Sequence, residues 1–190
     1  MNVYDFDKTI YDGDSTVDFY FYCLKKYPVI YKKIPEVLWH GVLFKLGIVK
    51  KREFKSRFFK FATLLPDLNG AVADFWSINK NKIKKFYMKN QREDDVIISA
   101  SPTFILDEIC SILNIKYLYA TNVDLHTGKI IGENCYGEEK VKRFYEAGFN
   151  EGSIDEFYSD SLSDSPLADI SKKAFIVIKE QLVPWHEYKK

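Results

Sequence analysis

Between the short apolar run Asn2–Phe6 and the next one, Val96–Ile98, about 80 residues pass with helical patterning and no convincing strand. A strand at the head of the chain must then find its sheet partners beyond a long helical insertion. The first run carries Val3, Tyr4 and Phe6 and ends in charged residues before Gly13, which suits a buried strand ending near Asp5. Val17, Phe21 and Leu24 at i, i+4 and i+7 predict a helix capped by Asp14 or Ser15 and closed by Pro28. A second helix is expected from Pro35 to Gly47, and a third with Phe54, Phe58 and Phe61 on one stripe. A fourth runs from Asn69 and Gly70 towards Asn90.

From Asp94 onward the pattern alternates. Val96–Ile98 predicts a strand ending at Ser99, followed by a helix with Leu106, Ile109, Cys110 and Leu113 on one face. Next come a strand over Tyr117–Thr121, a hairpin around HisThrGlyLys, and a helix from Glu138 to Ala147 stopped by Gly148. A strand over Phe157–Asp160, a short helix over Ser163–Ile170 and a strand over Ala174–Ile178 precede the ValProTrpHis tail. Strands alternating with helices predict an α/β fold with a parallel sheet covered on both faces. The expected division is a core of residues 1–13 and 94–190 with a helical unit, 14–93, inserted into it.

A chain of 190 residues holds one sizeable core with at most a small insertion. Charge follows the division: residues 14–93 hold 17 Lys or Arg against 7 Asp or Glu, and the remainder 11 against 20. The helical unit is therefore expected either to show solvated lysines or to face an acidic site as a basic lid that collects an anionic substrate. The net charge of +1 gives no overall attraction to nucleic acid or anionic lipid, so neither is expected as a partner. Cys23, Cys110 and Cys135 lack metal-ligand or disulfide spacing and predict small buried side chains in a reducing compartment. The start MNVYDFDKT lacks the pattern of a secretory signal, and the most apolar stretch, Val37–Leu46, is far short of the roughly 20 residues of a membrane span. A cytoplasmic location is the expectation.

In an open parallel sheet, loops converge at the carboxyl ends of the strands, where ligands bind. Asp5 and Asp7 follow the first strand, Ser99 ends the second, and Asp160 and Asp164 follow a later one. Four carboxylates at one edge repel each other unless a cation is bound, and an all-oxygen set without histidine favours magnesium. A hard cation beside carboxylates suits a phosphate substrate. Lys140, early in the helix opened by GlyGluGlu, and the Ser99 hydroxyl are candidate holders of its oxygens.

These residues resemble the motifs of the haloacid dehalogenase superfamily, in family order. AspPheAspLysThr at Asp5–Thr9 is similar to the first motif, ValIleIleSer ending at Ser99 to the second, Lys140 in GlyGluGluLys to the third, and Asp160 with Asp164 to the fourth. The resemblance spans Asn2 to about Ile178. It implies a Rossmann-like, doubly wound core with an inserted α-helical cap. It further implies a magnesium-dependent phosphatase in which Asp5 attacks phosphorus, Asp7 is general acid and base, and Ser99 and Lys140 bind phosphate. Magnesium would be held by Asp5, the Asp7 carbonyl and Asp160, with Asp164 helping directly or through water. Thr9 is expected to order the loop by hydrogen bonds.

The place and length of the cap resemble the phosphoserine phosphatase-like subgroup, which implies a small phosphorylated metabolite as substrate. By that likeness Asp14, nine positions after Asp5, is a substrate contact as well as a candidate helix cap, and Arg52 or Arg57 would hold a substrate carboxylate. Two departures bear on the substrate. Ala100 and Ser101 replace a glycine pair after Ser99, and Ser159 and Ser163 stand where glycine and asparagine are common. The aromatics Tyr20, Tyr22, Trp39, Phe58, Phe59 and Trp76 are candidates for core or for pocket lining. A phosphotransferase using the same intermediate and a non-catalytic sensor of phosphorylated metabolites are the alternative readings.

Overall fold

The computed structural model describes residues 1–188. Its centre is a six-stranded sheet in the order β3-β2-β1-β4-β5-β6. The strands are β1 (Asn2–Tyr4), β2 (Val96–Pro102), β3 (Tyr117–Thr121), β4 (Glu156–Ser159), β5 (Lys173–Ile178) and β6 (Gln181–Pro184). The first five run parallel; β6 is antiparallel to β5. β1 lies between β2 and β4, pairing Tyr4 with Ile97 on one side and with Tyr158 on the other. The direction of winding reverses at β1, so its carboxyl end opens on the crevice where α/β sheets take ligands.

The period-two alternation of a strand sorts side chains to two cores. Tyr4, Ile97 and Tyr158 enter one apolar cluster, and Val3, Val96, Ile98 and Phe157 enter another on the opposite face. The second cluster is closed by Phe144 of helix α7 (Glu138–Glu146) and by Leu167 and Ala168 of α8 (Ser165–Asp169).

The first is closed by α6 (Thr103–Ile112) and by the helical segment: α1 (Ser15–Lys26), α2 (Ile34–Lys45), α3 (Lys51–Phe58), α4 (Leu68–Asn79) and α5 (Lys85–Asn90). Phe19, Phe61, Phe75 and Trp76 of that segment share one cluster with Ile97, Ile105 and Ile109.

The structure corrects several expectations. α1 buries Thr16, Phe19, Tyr20, Cys23 and Leu24, so of the expected stripe Leu24 is enclosed while Val17 and Phe21 are exposed. Apolar residues lie all round this helix, so spacing alone left its rotation open, and packing against Phe61 and Phe75 selects the more aromatic side. β2 continues past Ser99 to Pro102 through an irregularity in its pairing with β3. The ValPro of the tail forms β6, an edge strand whose proline lies at its end, where the missing donor is tolerated. The fourth helical stretch is divided: α4 gives way to a 3₁₀ turn, Lys80–Lys82, before α5. Thr9 is buried, yet its hydroxyl has no hydrogen-bond partner.

Trp76 ties the helical segment to the loop behind Asp5. It is fully buried, donates through Nε1 to the Ile105 carbonyl at 2.7 Å, and meets Phe6, Tyr11 and Phe75 edge-on. Trp76→Ala should therefore lower the free energy of unfolding by about 3–5 kcal/mol in urea titration. A loss below about 1 kcal/mol would mean the two layers do not depend on this contact.

Candidate active site

The carboxyl ends of β1, β2 and β4 border a cavity of about 460 Å³. Asp5, Asp7, Asp14, Ser99, Lys140, Asp160 and Asp164 all line it. Asp5 leaves β1 with its backbone amide donating to the Tyr158 carbonyl at 2.9 Å, which fixes it beside β4. Its Oδ1 accepts from Lys140 Nζ at 2.7 Å, and the same ammonium donates to Asp164 Oδ2 at 2.7 Å. Ser159 Oγ adds a third hydrogen bond to that system, donating to Asp164 Oδ2 at 2.7 Å.

Gly137 caps α7 at φ +59 and ψ −128, a conformation open to glycine alone at little cost, and so turns the first helical turn and Lys140 into the cavity. The Lys140 side chain is 2% exposed. Burial opposes its charge, but the two carboxylates outweigh burial and hold its pKa above the usual lysine value. Burial in turn pushes Asp5 above the usual carboxylate range, with Lys140 opposing and Asp164 adding to the rise.

Asp7 is held from the helical segment. Its Oδ1 accepts from the backbone amide of Ser15, the first residue of α1, at 2.7 Å, and its Oδ2 accepts from Ser101 Oγ. Thr16 Oγ1 lies 2.8 Å from Ser101 Oγ and completes this bridge between α1 and β2. Burial, then the neighbouring Asp14, push Asp7 up to about 6, with Ser101 and Ser15 opposing. Asp14 caps α1 by accepting from Val17 N at 3.0 Å while still lining the cavity. Ser99 is buried, and its Oγ accepts from Ser101 N at 3.1 Å. Asp160 is raised by burial, with Lys8 opposing.

Arg52 and Arg57 do not reach this cavity. Both line a different pocket, with Arg52 3.8 Å from Glu133 and Arg57 3.6 Å from Glu36. The side of α3 turned to Asp5 carries Lys51, Phe54, Lys55 and Phe58, at i, i+3, i+4 and i+7, and the arginines fall on the neighbouring faces. Lys55 donates to the Ala100 carbonyl at 2.7 Å and to Asn134 Oδ1 at 2.8 Å, and burial lowers its pKa to about 8. Lys51 Nζ sits 3.4 Å from the centre of the Tyr136 ring, another lining residue.

Thr16, Lys51 and Lys55 were not singled out from sequence, and Ser101 only as a departure from a glycine pair. The i, i+3, i+4, i+7 spacing of α3 was the available signal. Of the candidate aromatics, Phe58 and Phe59 line the cavity, Tyr20 and Trp76 are buried in the apolar cluster, Tyr22 packs at its margin, and Trp39 is exposed.

A model of the haloacid dehalogenase-like hydrolase family matches residues 3–169. The chain belongs to this family. A probable phosphatase of Mycobacterium tuberculosis is 34% identical over 90 residues, which are 44% of this chain and 31% of that protein. The chain thus spans about a third of the length of the curated relatives it matches. Among solved structures, a protein of unknown function from Bordetella pertussis Tohama I superposes with a TM-score of 0.76 at 16% identity, covering 93% of this chain and 88% of that one. A phosphoserine phosphohydrolase-like protein from Francisella tularensis superposes at 0.56 with 18% identity, covering 95% and 88%. The six-stranded, mainly parallel sheet with its helical insertion is thus the fold of haloacid dehalogenase-like proteins.

Family membership implies magnesium, and the donor chemistry fits it. Among the described residues no three His, Cys, Asp or Glu side chains form a closed metal cage. Magnesium seldom uses one: it takes one or two carboxylates and completes its shell with water and substrate phosphate. The buried Asp5 and the half-buried Asp160 supply two carboxylates in one cavity, each raised by loss of water as expected of oxygens that a cation would relieve.

Lys140 is the internal counter-charge in this haloacid dehalogenase-like site. Lys140→Ala should cost about 3–5 kcal/mol in urea unfolding with chelator present, because Asp5 and Asp164 lose their shared partner inside the protein. Wild-type stability in that variant would show the pair to be solvated.

Proposed function

We propose that the chain is a magnesium-dependent phosphatase of small phosphomonoesters that works through an aspartyl phosphate on Asp5. The observation that carries this reading is the pairing of two differently held carboxylates in one cavity. Asp5 is bound to a buried ammonium through one oxygen, whereas Asp7 is bound by a backbone amide and a hydroxyl; burial raises both above the usual carboxylate range. The contact with Lys140 favours the charged form that a nucleophile needs, and a carboxyl raised by burial can hold the proton that an acid must give; the partners, not the size of the rise, divide the roles. The M. tuberculosis relative named a probable phosphatase supports the same reaction class.

In the first step Asp5 attacks phosphorus, the ester P–O bond breaks, and Asp7 gives its proton to the leaving oxygen. In the second, water attacks the same phosphorus, its proton passes to Asp7, and the bond to Asp5 breaks. Ser99 and Lys140 hold the phosphoryl oxygens and stabilise their charge, and Asp164 with Ser159 fixes the ammonium of Lys140. Asp5, the Asp7 carbonyl and Asp160 would hold magnesium, with Asp164 contributing directly or through water, and the ion would neutralise charge on the phosphoryl group. From the helical side, Lys51, Lys55 and Asp14 meet the leaving group, with Phe54 and Phe58 flanking it.

Phosphate release from a panel of small esters, including phosphoserine and an aryl phosphate, tests this. Turnover should require magnesium and fall by about 10³-fold or more in Asp5→Asn. Turnover that survives Asp5→Asn would remove the proposed intermediate, and phosphate-ester binding without turnover would make the site a sensor. Phosphate passed to an added alcohol would make it a phosphotransferase.

The corrected cap geometry has its own test. Lys55→Ala should raise KM about tenfold on the best ester, the loss of one charge-assisted contact, while Arg57→Ala changes it little. The reverse order would return the substrate contact to the arginine.

A further inference from the structure

α2 carries three ionisable side chains, Glu36, His40 and Lys45, is otherwise apolar, and lies on the surface with none of its residues buried. A helix of that kind is ordinarily enclosed by a protein core or by lipid. Its inner side leans on α3: Phe44 stacks on Phe54 at 5.4 Å with an interplanar angle of 11°. Its outer side carries Pro35, Leu38, Trp39, Val42 and Leu46 at i, i+3, i+4, i+7 and i+11, one continuous stripe. Leu38 is 64%, Trp39 60% and Leu46 67% exposed, and Ile48 at 67% and Tyr31 at 53% extend the stripe at its two ends. A solvent-facing helix would place polar residues there.

Charge selects what covers this face. From Pro28 to Arg52 the chain carries Lys32, Lys33, Lys45, Lys50, Lys51 and Arg52 against one carboxylate, Glu36. Glu36 is already met by Lys33, Lys60 and Arg57. Lys45 lies between Val42 and Leu46, and Lys32 and Lys50 flank the helix; none of these three meets a carboxylate among the described residues. Two copies joined through this face would bring like charges together, whereas an anionic bilayer accepts the apolar stripe and the lysines at once. Tryptophan among lysines suits the headgroup level of a bilayer.

We propose that α2 and its flanking lysines dock in the interfacial region of an anionic lipid bilayer. Among the described residues no helix is long and apolar enough to cross a membrane, and a helix lying in the interface needs no such length. The expectation of no membrane partner rested on span length and whole-chain charge, and neither measures a local surface of this kind. α3 would carry the docking to the cavity, since Phe54 stacks under α2 and also lines the cavity with Lys51 and Lys55. The proposal is independent of the phosphatase reading.

Co-sedimentation with vesicles tests it, comparing phosphatidylcholine alone with phosphatidylcholine containing about 30% phosphatidylglycerol. The wild-type chain should bind the anionic vesicles, weakly in high salt, and should bind the neutral ones poorly. Leu38→Glu/Trp39→Glu and Lys32→Gln/Lys45→Gln/Lys50→Gln should each lower the partition coefficient by roughly tenfold or more. Their circular dichroism and melting temperature should match wild type, because these side chains are exposed. Vesicles should shift tryptophan emission to the blue in wild type and not in Trp39→Phe. Wild-type failure to bind at low salt, or full binding by the Leu38/Trp39 variant, would overturn the proposal. So would a dimer in light scattering that this variant dissolves, which would make a second copy the occupant.

Discussion

One buried ammonium between two carboxylates sets the terms for the rest of the molecule. Lys140 touches Asp5 and Asp164 at 2.7 Å each and is almost wholly enclosed. Removing three charges from water costs more than any single pair returns, so the arrangement persists only with close geometry and further donors. The fold meets both conditions. β1 delivers Asp5 from the centre of the sheet, Gly137 turns α7 inward, and the 3₁₀ turn Leu162–Asp164 brings Asp164 back to Ser159. Three segments distant in sequence are thereby tied at the crevice where the winding of the sheet reverses.

A second link runs through Asp7 and explains why the helical segment is more than a cover. The amide that opens α1 and the hydroxyl of Ser101 in β2 both donate to Asp7, and Thr16 joins them. Any movement of α1 away from β2 must break hydrogen bonds to a half-buried carboxylate. Behind them Trp76, Phe75 and Phe19 share an apolar cluster with β2 and α6, so the segment is held from both its polar and its apolar sides. Lys55, reaching from α3 to the Ala100 carbonyl, adds a third tie at the rim. The position of the proposed acid and base therefore depends on the packing of α1 and α4.

What the sequence made legible was order along the chain. Short apolar runs ending in Asp or Ser, separated by helical patterns, were enough for a mainly parallel sheet, and the motif residues from Asp5 to Asp164 line one cavity. Rotation about a helix axis was not legible where apolar residues surround it. Val17 and Phe21 fit a helical stripe as well as Phe19 and Cys23 do, and only the partners Phe61 and Phe75 decide between them. The same degree of freedom moved the candidate contacts from Arg52 and Arg57 to Lys51 and Lys55 on one short helix. β6 escaped notice because an edge strand ending in proline carries a weak local signal, and its pairing with β5 is a tertiary fact.

The glycine pair missing after Ser99 has a structural counterpart. At the second of these positions Ser101 contributes its hydroxyl to Asp7 and its amide to Ser99, two bonds of which a glycine could supply only the latter. At the first, Ala100 offers its carbonyl to both Lys55 and Thr121. Side-chain bonding has thus been added at the point where the family pattern favours close backbone approach. Asp7 gains a donor from the sheet through Ser101, whereas the residue-100 carbonyl would accept from Lys55 in a glycine as well. Under the proposed reading, Ser99, Lys140 and the carboxylates would treat every phosphoryl group alike, so substrate choice would fall to the groups around them. The groups presented by α1, α3 and residues 100–101 would then meet what the phosphate is attached to.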